Sequence, residues 1–144
     1  MSDPLYRKDL LRLAADATGA GRLTQPCGTG RAFNPACGDR VTVDIVLENN
    51  RVAGIAHDTH ACVLTQASAA ILGGDLIGLG RDEVEALKQS VESMLQGADP
   101  PAAPFDSFAS FDGLADHKGR HRCVLLPFEA VLAAFDASEA SEPG

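Results

Sequence analysis

Between residues 41 and 48 the chain alternates: Val41, Val43, Ile45 and Leu47 fall on one side, Thr42, Asp44 and Glu48 on the other, with Val46 the exception. A period of two predicts a strand with one face buried. Asn49-Asn50 tolerates positive φ, and Val52 and Ile55 continue the pattern from Arg51 to about Asp58, so the two segments predict an antiparallel β-hairpin. Upstream, Leu5, Leu10, Leu11, Leu13 and Ala14 recur at helical spacing from Pro4 to about Ala20. Pro4 suits a first turn, and Gly19 and Gly21 should stop this helix. Residues 21–36, rich in Gly, Thr and Pro, read as a loop holding a short extended piece around Gly30 to Asn34.

Downstream the period lengthens. Cys62 opens a segment in which Val63, Leu64, Ala67, Ala70 and Ile71 share a side, closed by Gly73-Gly74. A second helix is predicted from about Arg81 to Gln96, with Asp82 and Glu83 in its first turn and Val84, Leu87, Val91 and Leu95 on one face. Pro100, Pro101 and Pro104 then break the chain, and Phe105, Phe108 and Phe111 follow at a spacing of three, as expected of a surface loop pinned to the core by its phenylalanines. From Cys123 to about Ala137, Val124, Leu125, Phe128, Val131, Leu132 and Phe135 form a last helical stripe, with Pro127 assigned to its first turn. Residues 1–137 are expected to form one domain, followed by a disordered acidic tail, 138–144.

Composition narrows the class. A chain of 144 residues with 45% apolar and 22% charged residues suits one globular domain, and 5% aromatics with no tryptophan imply an aliphatic core. A net charge of -8 argues against a surface that tracks phosphates, so nucleic acid is not an expected partner. No stretch is long enough for a membrane span and Met1-Ser2-Asp3-Pro4 lacks the layout of an export signal, which points to a cytoplasmic protein. In that compartment four widely spaced cysteines are more often metal-binding or reactive than disulfide-bonded.

The candidate chemistry centres on Asn34-Pro35-Ala36-Cys37-Gly38-Asp39, a turn offering a thiol and a carboxylate two residues apart. Pro35 restrains Asn34, and Gly38 can take backbone angles that other residues avoid, so Cys37 and Asp39 can face one centre. A polar loop with a buried cysteine fits the hexapeptide equally well. Cys62 and Cys123 change the balance, because both stand at predicted helix starts, where the dipole and free N–H groups favour a thiolate. Three sulfurs and the Asp39 oxygen suit Zn(II) or an iron–sulfur cluster. The intervals between the cysteines are far too long for a compact Cys-x-x-Cys knuckle, and spacing alone supports no assignment.

The hexapeptide before a strand, Cys62 leading Gln66-Ala67-Ser68-Ala69-Ala70, and Cys123 leading the last helix together resemble the IscU/NifU-type iron–sulfur cluster assembly scaffolds, from roughly Leu5 to Phe135. Arg40 after Cys-Gly-Asp and the insertion from about Gly97 to Lys118 look more like the zinc-bearing SufU branch. So does Arg120, three places before Cys123; directly before that third cysteine, where IscU-type members carry a histidine, the chain has Arg122, with His121 one place earlier. The chain departs from the family pattern at Ala17-Thr18-Gly19-Ala20-Gly21-Arg22 and at Ala61, where members have glycine.

The resemblance implies an α+β fold, a small three-stranded antiparallel sheet packed against four or five helices, with Cys37, Asp39, Cys62 and Cys123 as the ligand set at one exposed end. It implies Zn(II), or alternatively a [2Fe-2S] cluster, as cofactor. The partners it implies are a SufS-like cysteine desulfurase and, downstream, apo iron–sulfur proteins or further assembly proteins. Sulfur relay is the leading expectation, with Cys37 accepting persulfide sulfur and Arg120 assisting by pairing with a carboxylate or freed thiolate; a solvated arginine at a helix start is the ordinary alternative. A cluster scaffold and a structural zinc module are the other two readings. Cys27 lies outside the pattern and is taken as a bystander, and His121 is the one histidine near enough to Cys123 to substitute as a ligand.

Overall fold

The computed structural model describes residues 8–36, 38–114 and 117–141. Helix α1 (Lys8–Asp16) precedes three strands, β1 (Gly28–Asn34), β2 (Asp39–Glu48) and β3 (Arg51–His60). Helices α2 (Val63–Asp75) and α3 (Arg81–Leu95) follow, then two 3-10 helices, Phe105–Leu114 and Lys118–Arg120, and finally α4 (His121–Ser141). The strands form one antiparallel sheet in the order β1-β2-β3, the α+β arrangement expected from the sequence.

The β2-β3 hairpin forms as the alternation predicts. Val41, Val43 and Ile45 are at most 2% exposed, and Asn49 and Asn50 take φ of 55° and 63°, the left-handed pair that matches the twist of a tight hairpin. Val46 breaks the alternation on the outer face of β2, where it lies by Gly54 of β3 and Leu23 of the segment that crosses there; the register shift after it leaves Ala53 of β3 as the extra residue of a bulge. Asp44 departs from its expected exposure. It is fully buried, because the chain after α1 crosses the outer face of the sheet, joined to β3 by Gly21 N–H to the His57 carbonyl at 2.8 Å and His57 N–H to the Gly19 carbonyl at 2.9 Å.

That crossing also shortens α1, which stops at Asp16 with Ala17 at φ 46° instead of continuing towards Ala20. Pro4 and Leu5 lie outside the described residues. On the inner face, α4 covers β1 and β2 while α2 lies beside it against β3; α1 backs α2 and α3 backs α4. Glycine makes the closest of these contacts: a Cβ on Gly30 would collide with the Ala130 carbonyl and the Ala134 nitrogen of α4. Strand β1 is therefore longer than the piece read from Gly30, since its glycines serve packing as well as turns.

Helix α2 runs through Gly73-Gly74 to Asp75, because at Gly73 it passes directly over the Thr18 carbonyl, where a side chain would not fit. Helix α4 starts at His121, which places Pro127 inside it and not in its first turn. The helix also extends past Ala137, so part of the segment expected to be a disordered tail is helical as far as Ser141; Ser138 is 4% exposed, and its backbone nitrogen lies against Gly28 of β1. The phenylalanine loop is a ten-residue 3-10 helix. With three residues per turn, a spacing of three puts Phe105, Phe108 and Phe111 on one face, and all three are buried. Phe108 stacks at 5.8 Å from Phe111 and 5.5 Å from Phe128 of α4, which fixes the insertion as part of the core.

Candidate metal centre

The hairpin between β1 and β2 is closed by its first residue. The Asn34 carbonyl accepts the Gly38 N–H at 2.8 Å, its side-chain Oδ1 accepts the Ala36 N–H at 3.2 Å, and Gly38 sits at φ 75°, a region unfavourable for residues with a Cβ. This turn delivers Asp39 as the first residue of β2. Cys62 is the N-cap of α2 and Cys123 lies in the first turn of α4.

Three elements thus converge. A carboxylate oxygen of Asp39 and the Sγ atoms of Cys62 and Cys123 lie within 4.8 Å of one another, the one such group among the described residues. Asp39 and Cys123 are buried, at 4% and 1% exposure, while Cys62 is half-buried and forms the side open to solvent. Cys37 lies outside the described residues, between Ala36 and Gly38 of the turn. Cys27, Cys62 and Cys123 form no disulfide among the described residues.

Asp39 is held at the start of α2. Its Oδ1 accepts the Cys62 backbone N–H at 3.3 Å and its Oδ2 accepts the Thr65 hydroxyl at 3.0 Å. A carboxylate from the neighbouring strand thereby satisfies groups at a helix N-terminus that has no side-chain cap of its own. The Cys62 thiol is pulled down to about 6: the hydrogen bond with Cys123 lowers it most, burial pushes it back up, the Thr65 hydroxyl and backbone lower it further, and the charge of Asp39 raises it. At neutral pH this site favours the thiolate, the form that binds metal and attacks sulfur.

Arg120 is exposed at the end of the Lys118–Arg120 turn. His121 Nε2 bonds the Leu114 carbonyl at 2.7 Å and is not among the grouped donors. His57 is a structural group: Nε2 meets the Thr18 carbonyl and Nδ1 the Thr59 hydroxyl, both at 2.9 Å. His60 pairs with Asp58 at 3.1 Å. Cys27 precedes β1 at the end far from the turn, roughly 23 Å from Asn34 along an extended strand, and its Sγ accepts the Leu47 N–H at 3.3 Å. Thr65 was not recognised from the sequence. Its place, three residues after an N-cap, is where a side chain turns back towards the helix start, and that spacing was the available signal.

Fold and site together define a small α+β domain in which a hairpin turn and two helix starts assemble a thiol–carboxylate cluster. The chain belongs to the NifU-like N-terminal domain family, whose model matches residues 5–121. It is similar to the iron–sulfur cluster assembly scaffold protein IscU of Streptococcus pyogenes serotype M1, 27% identical over 73% of this chain and 67% of that one. It is 22% identical to the Thermotoga maritima protein of the same name, over 90% and 92% of the two chains, and 21% identical to the zinc-dependent sulfurtransferase SufU of Bacillus subtilis, over 68% and 67%. Among solved structures, a nitrogen-fixing NifU-like protein (N-terminal) from Brucella abortus superposes with a TM-score of 0.89 at 30% identity, covering 97% of this chain and 98% of that one. Relatives named IscU and SufU both appear, and identity alone does not favour the SufU branch.

Proposed function

We propose that this chain works in iron–sulfur cluster biogenesis, as a SufU-like, zinc-dependent acceptor of persulfide sulfur from a cysteine desulfurase. The observation that supports this most is the meeting of Asp39, Cys62 and Cys123 within 4.8 Å from three separate elements. A tetrahedral ion bound at about 2.0–2.3 Å keeps its donors about 3.5–3.8 Å apart, so the three donors fit Zn(II) with closure of at most about 1.3 Å. Cys37, from the adjacent turn, is the fourth ligand in this reading. Bound zinc would hold the thiols deprotonated and lower the basicity of the set.

In the relay the Cys37 thiolate attacks the outer sulfur of the desulfurase persulfide; a new S–S bond forms at Cys37, and the donor cysteine leaves as its thiolate. Asp39, Cys62 and Cys123 keep the site assembled meanwhile, and Arg120 pairs with Asp39 or a freed thiolate as charge moves. The sulfur then passes to later assembly proteins or apo iron–sulfur proteins. Arg120, three residues before the third cysteine, and the 97–118 insertion support the SufU-like branch. Sulfur uptake from a desulfurase should fall to background in Cys37→Ala; a variant that retains full uptake overturns the relay.

The IscU names of two relatives favour a second reading, in which the same four residues build and hand on a [2Fe-2S] cluster. Anaerobic reconstitution with iron and sulfide separates the two: a stable, transferable chromophore selects the scaffold, whereas tightly held zinc and no chromophore select the relay. If the metal only staples the fold, removing zinc unfolds the chain and no sulfur is transferred.

A further inference from the structure

Helix α2 carries two fully buried hydroxyls one turn apart, and they have different partners. Ser68 donates to the Val124 carbonyl at 2.6 Å, tying α2 to α4 without touching a candidate ligand. Thr65 donates to Asp39 Oδ2 at 3.0 Å, and its oxygen lies 3.5 Å from the Cys62 Sγ. A hydroxyl has one hydrogen and two lone pairs. Its one hydrogen goes to the acceptor-only Asp39 carboxylate, and the same oxygen stays in contact with the Cys62 sulfur. One side chain therefore connects two donors that come from different elements and lie 23 residues apart in sequence.

Asp39 can turn about two side-chain bonds, and its rotation decides whether an oxygen faces the two sulfurs. The Cys62 N–H fixes one oxygen and the Thr65 hydroxyl the other. We propose that Thr65 is a positioning residue for the metal centre, whose hydroxyl locks the Asp39 carboxylate towards Cys62 and Cys123 and so sets the affinity for Zn(II). This rests on the metal-binding reading given above. Hydrogen-bond partners of metal ligands typically contribute about 10–100-fold to metal affinity, and that is the size expected here.

The test uses the full chain, stripped of metal under reducing conditions, with Zn(II) affinity measured by chelator competition and ligand geometry read from the visible bands of the Co(II)-loaded protein. Thr65→Val keeps the side-chain shape and removes the hydroxyl; it should weaken Zn(II) binding about 10–100-fold and shift the Co(II) bands, and Thr65→Ser should restore both. Ser68→Ala should lower the thermal midpoint of the metal-free chain while leaving Zn(II) affinity within about threefold of wild type, well below that outer-ligand effect. Thr65→Ala, with the same expectation, replaces Thr65→Val if the valine variant does not fold. Wild-type affinity and unchanged Co(II) bands in the hydroxyl-free variant would overturn the proposal, as would an equal affinity loss in Ser68→Ala. A wild-type chain that binds no Zn(II) would remove the metal reading itself, a result distinct from either.

Discussion

Replacing Asp44 by alanine should destabilise the fold by about 2–6 kcal/mol, because the Leu23 N–H and the Thr29 hydroxyl lose their acceptor at about 1–3 kcal/mol each, without changing metal affinity. Asp44 is fully buried on the outer face of β2 and accepts four hydrogen bonds: Arg22 Nε at 2.6 Å, Arg22 Nη2 at 3.2 Å, the Leu23 N–H at 3.1 Å and the Thr29 hydroxyl at 2.6 Å. Hydrogen bonds to a charged group are worth about 1.5–3 kcal/mol each, but four cannot be summed, because the half-exposed Arg22 side chain can return to water when its partner is lost. Asp44→Asn, which keeps one acceptor and turns an amide N–H₂ towards donors, should lose about 2–3 kcal/mol, roughly one or two such bonds. The site lies five residues along the strand from Asp39, about 16 Å away.

The pH dependence supplies an internal control. Burial pushes the Asp44 carboxyl up, but the hydrogen bonds from Arg22, Thr29 and Leu23 and the Arg22 charge outweigh it, leaving it below its ordinary value of 3.8. The unfolded chain therefore binds this proton before the folded one does, and the stabilisation, complete well above 3.8, is lost as pH falls through and below it. Urea unfolding of chelator-treated wild type and Asp44→Asn at pH 7 and pH 3 should show the gap between them narrowing in acid. A gap below about 0.5 kcal/mol at pH 7, the range of ordinary surface substitutions, or one undiminished at pH 3, would refute the reasoning.

Gly30→Ala should unfold at a much lower temperature than wild type, towards or beyond the upper end of the about 1–3 kcal/mol typical of overpacking, because the added Cβ meets only backbone of α4, which cannot rotate away. Gly38→Ala, whose Cβ would meet nothing within 4 Å, should lose only the about 1–2 kcal/mol of a left-handed backbone; equal thermal midpoints for the two would contradict this account. Phe108→Ala should cost about 3–5 kcal/mol in urea unfolding, as for a core aromatic; a loss typical of a surface loop would mean the insertion is not part of the core. His57 is held below its ordinary 6.5, burial pushing it down against the pull of the Thr18 carbonyl, so its neutral form stabilises the fold at neutral pH and that contribution is lost as pH drops below 6.5. Wild type should accordingly lose more stability than His57→Gln between pH 7.5 and pH 5.5, and equal losses would remove His57 as the cause.

Much of the architecture was legible from short-range pattern. The alternation from Val41 to Leu47 and the Asn49-Asn50 pair are local instructions for a hairpin, and they are realised where they occur. The stripes in α3 and α4 and the three-residue phenylalanine spacing likewise report which face each segment buries. Errors arose where a residue's role depended on a distant segment. Gly28, Gly30 and Gly73 looked like loop and helix-end signals, yet each marks a place where two backbones touch. Asp44 looked like a solvent-facing position until residues 19–23 crossed over it.

The candidate site shows the same division. Residue chemistry beside turns and helix starts made Cys37, Asp39, Cys62 and Cys123 candidates, and the family resemblance joined them into one ligand set. Their meeting within 4.8 Å, the Cys62 thiol depressed by its neighbours, and the Thr65 hydroxyl joined to Asp39 came from the folded chain alone. Periodicity encodes which way a side chain points within its own element; distances between elements depend on how sheet and helices pack, and no local pattern contains that information.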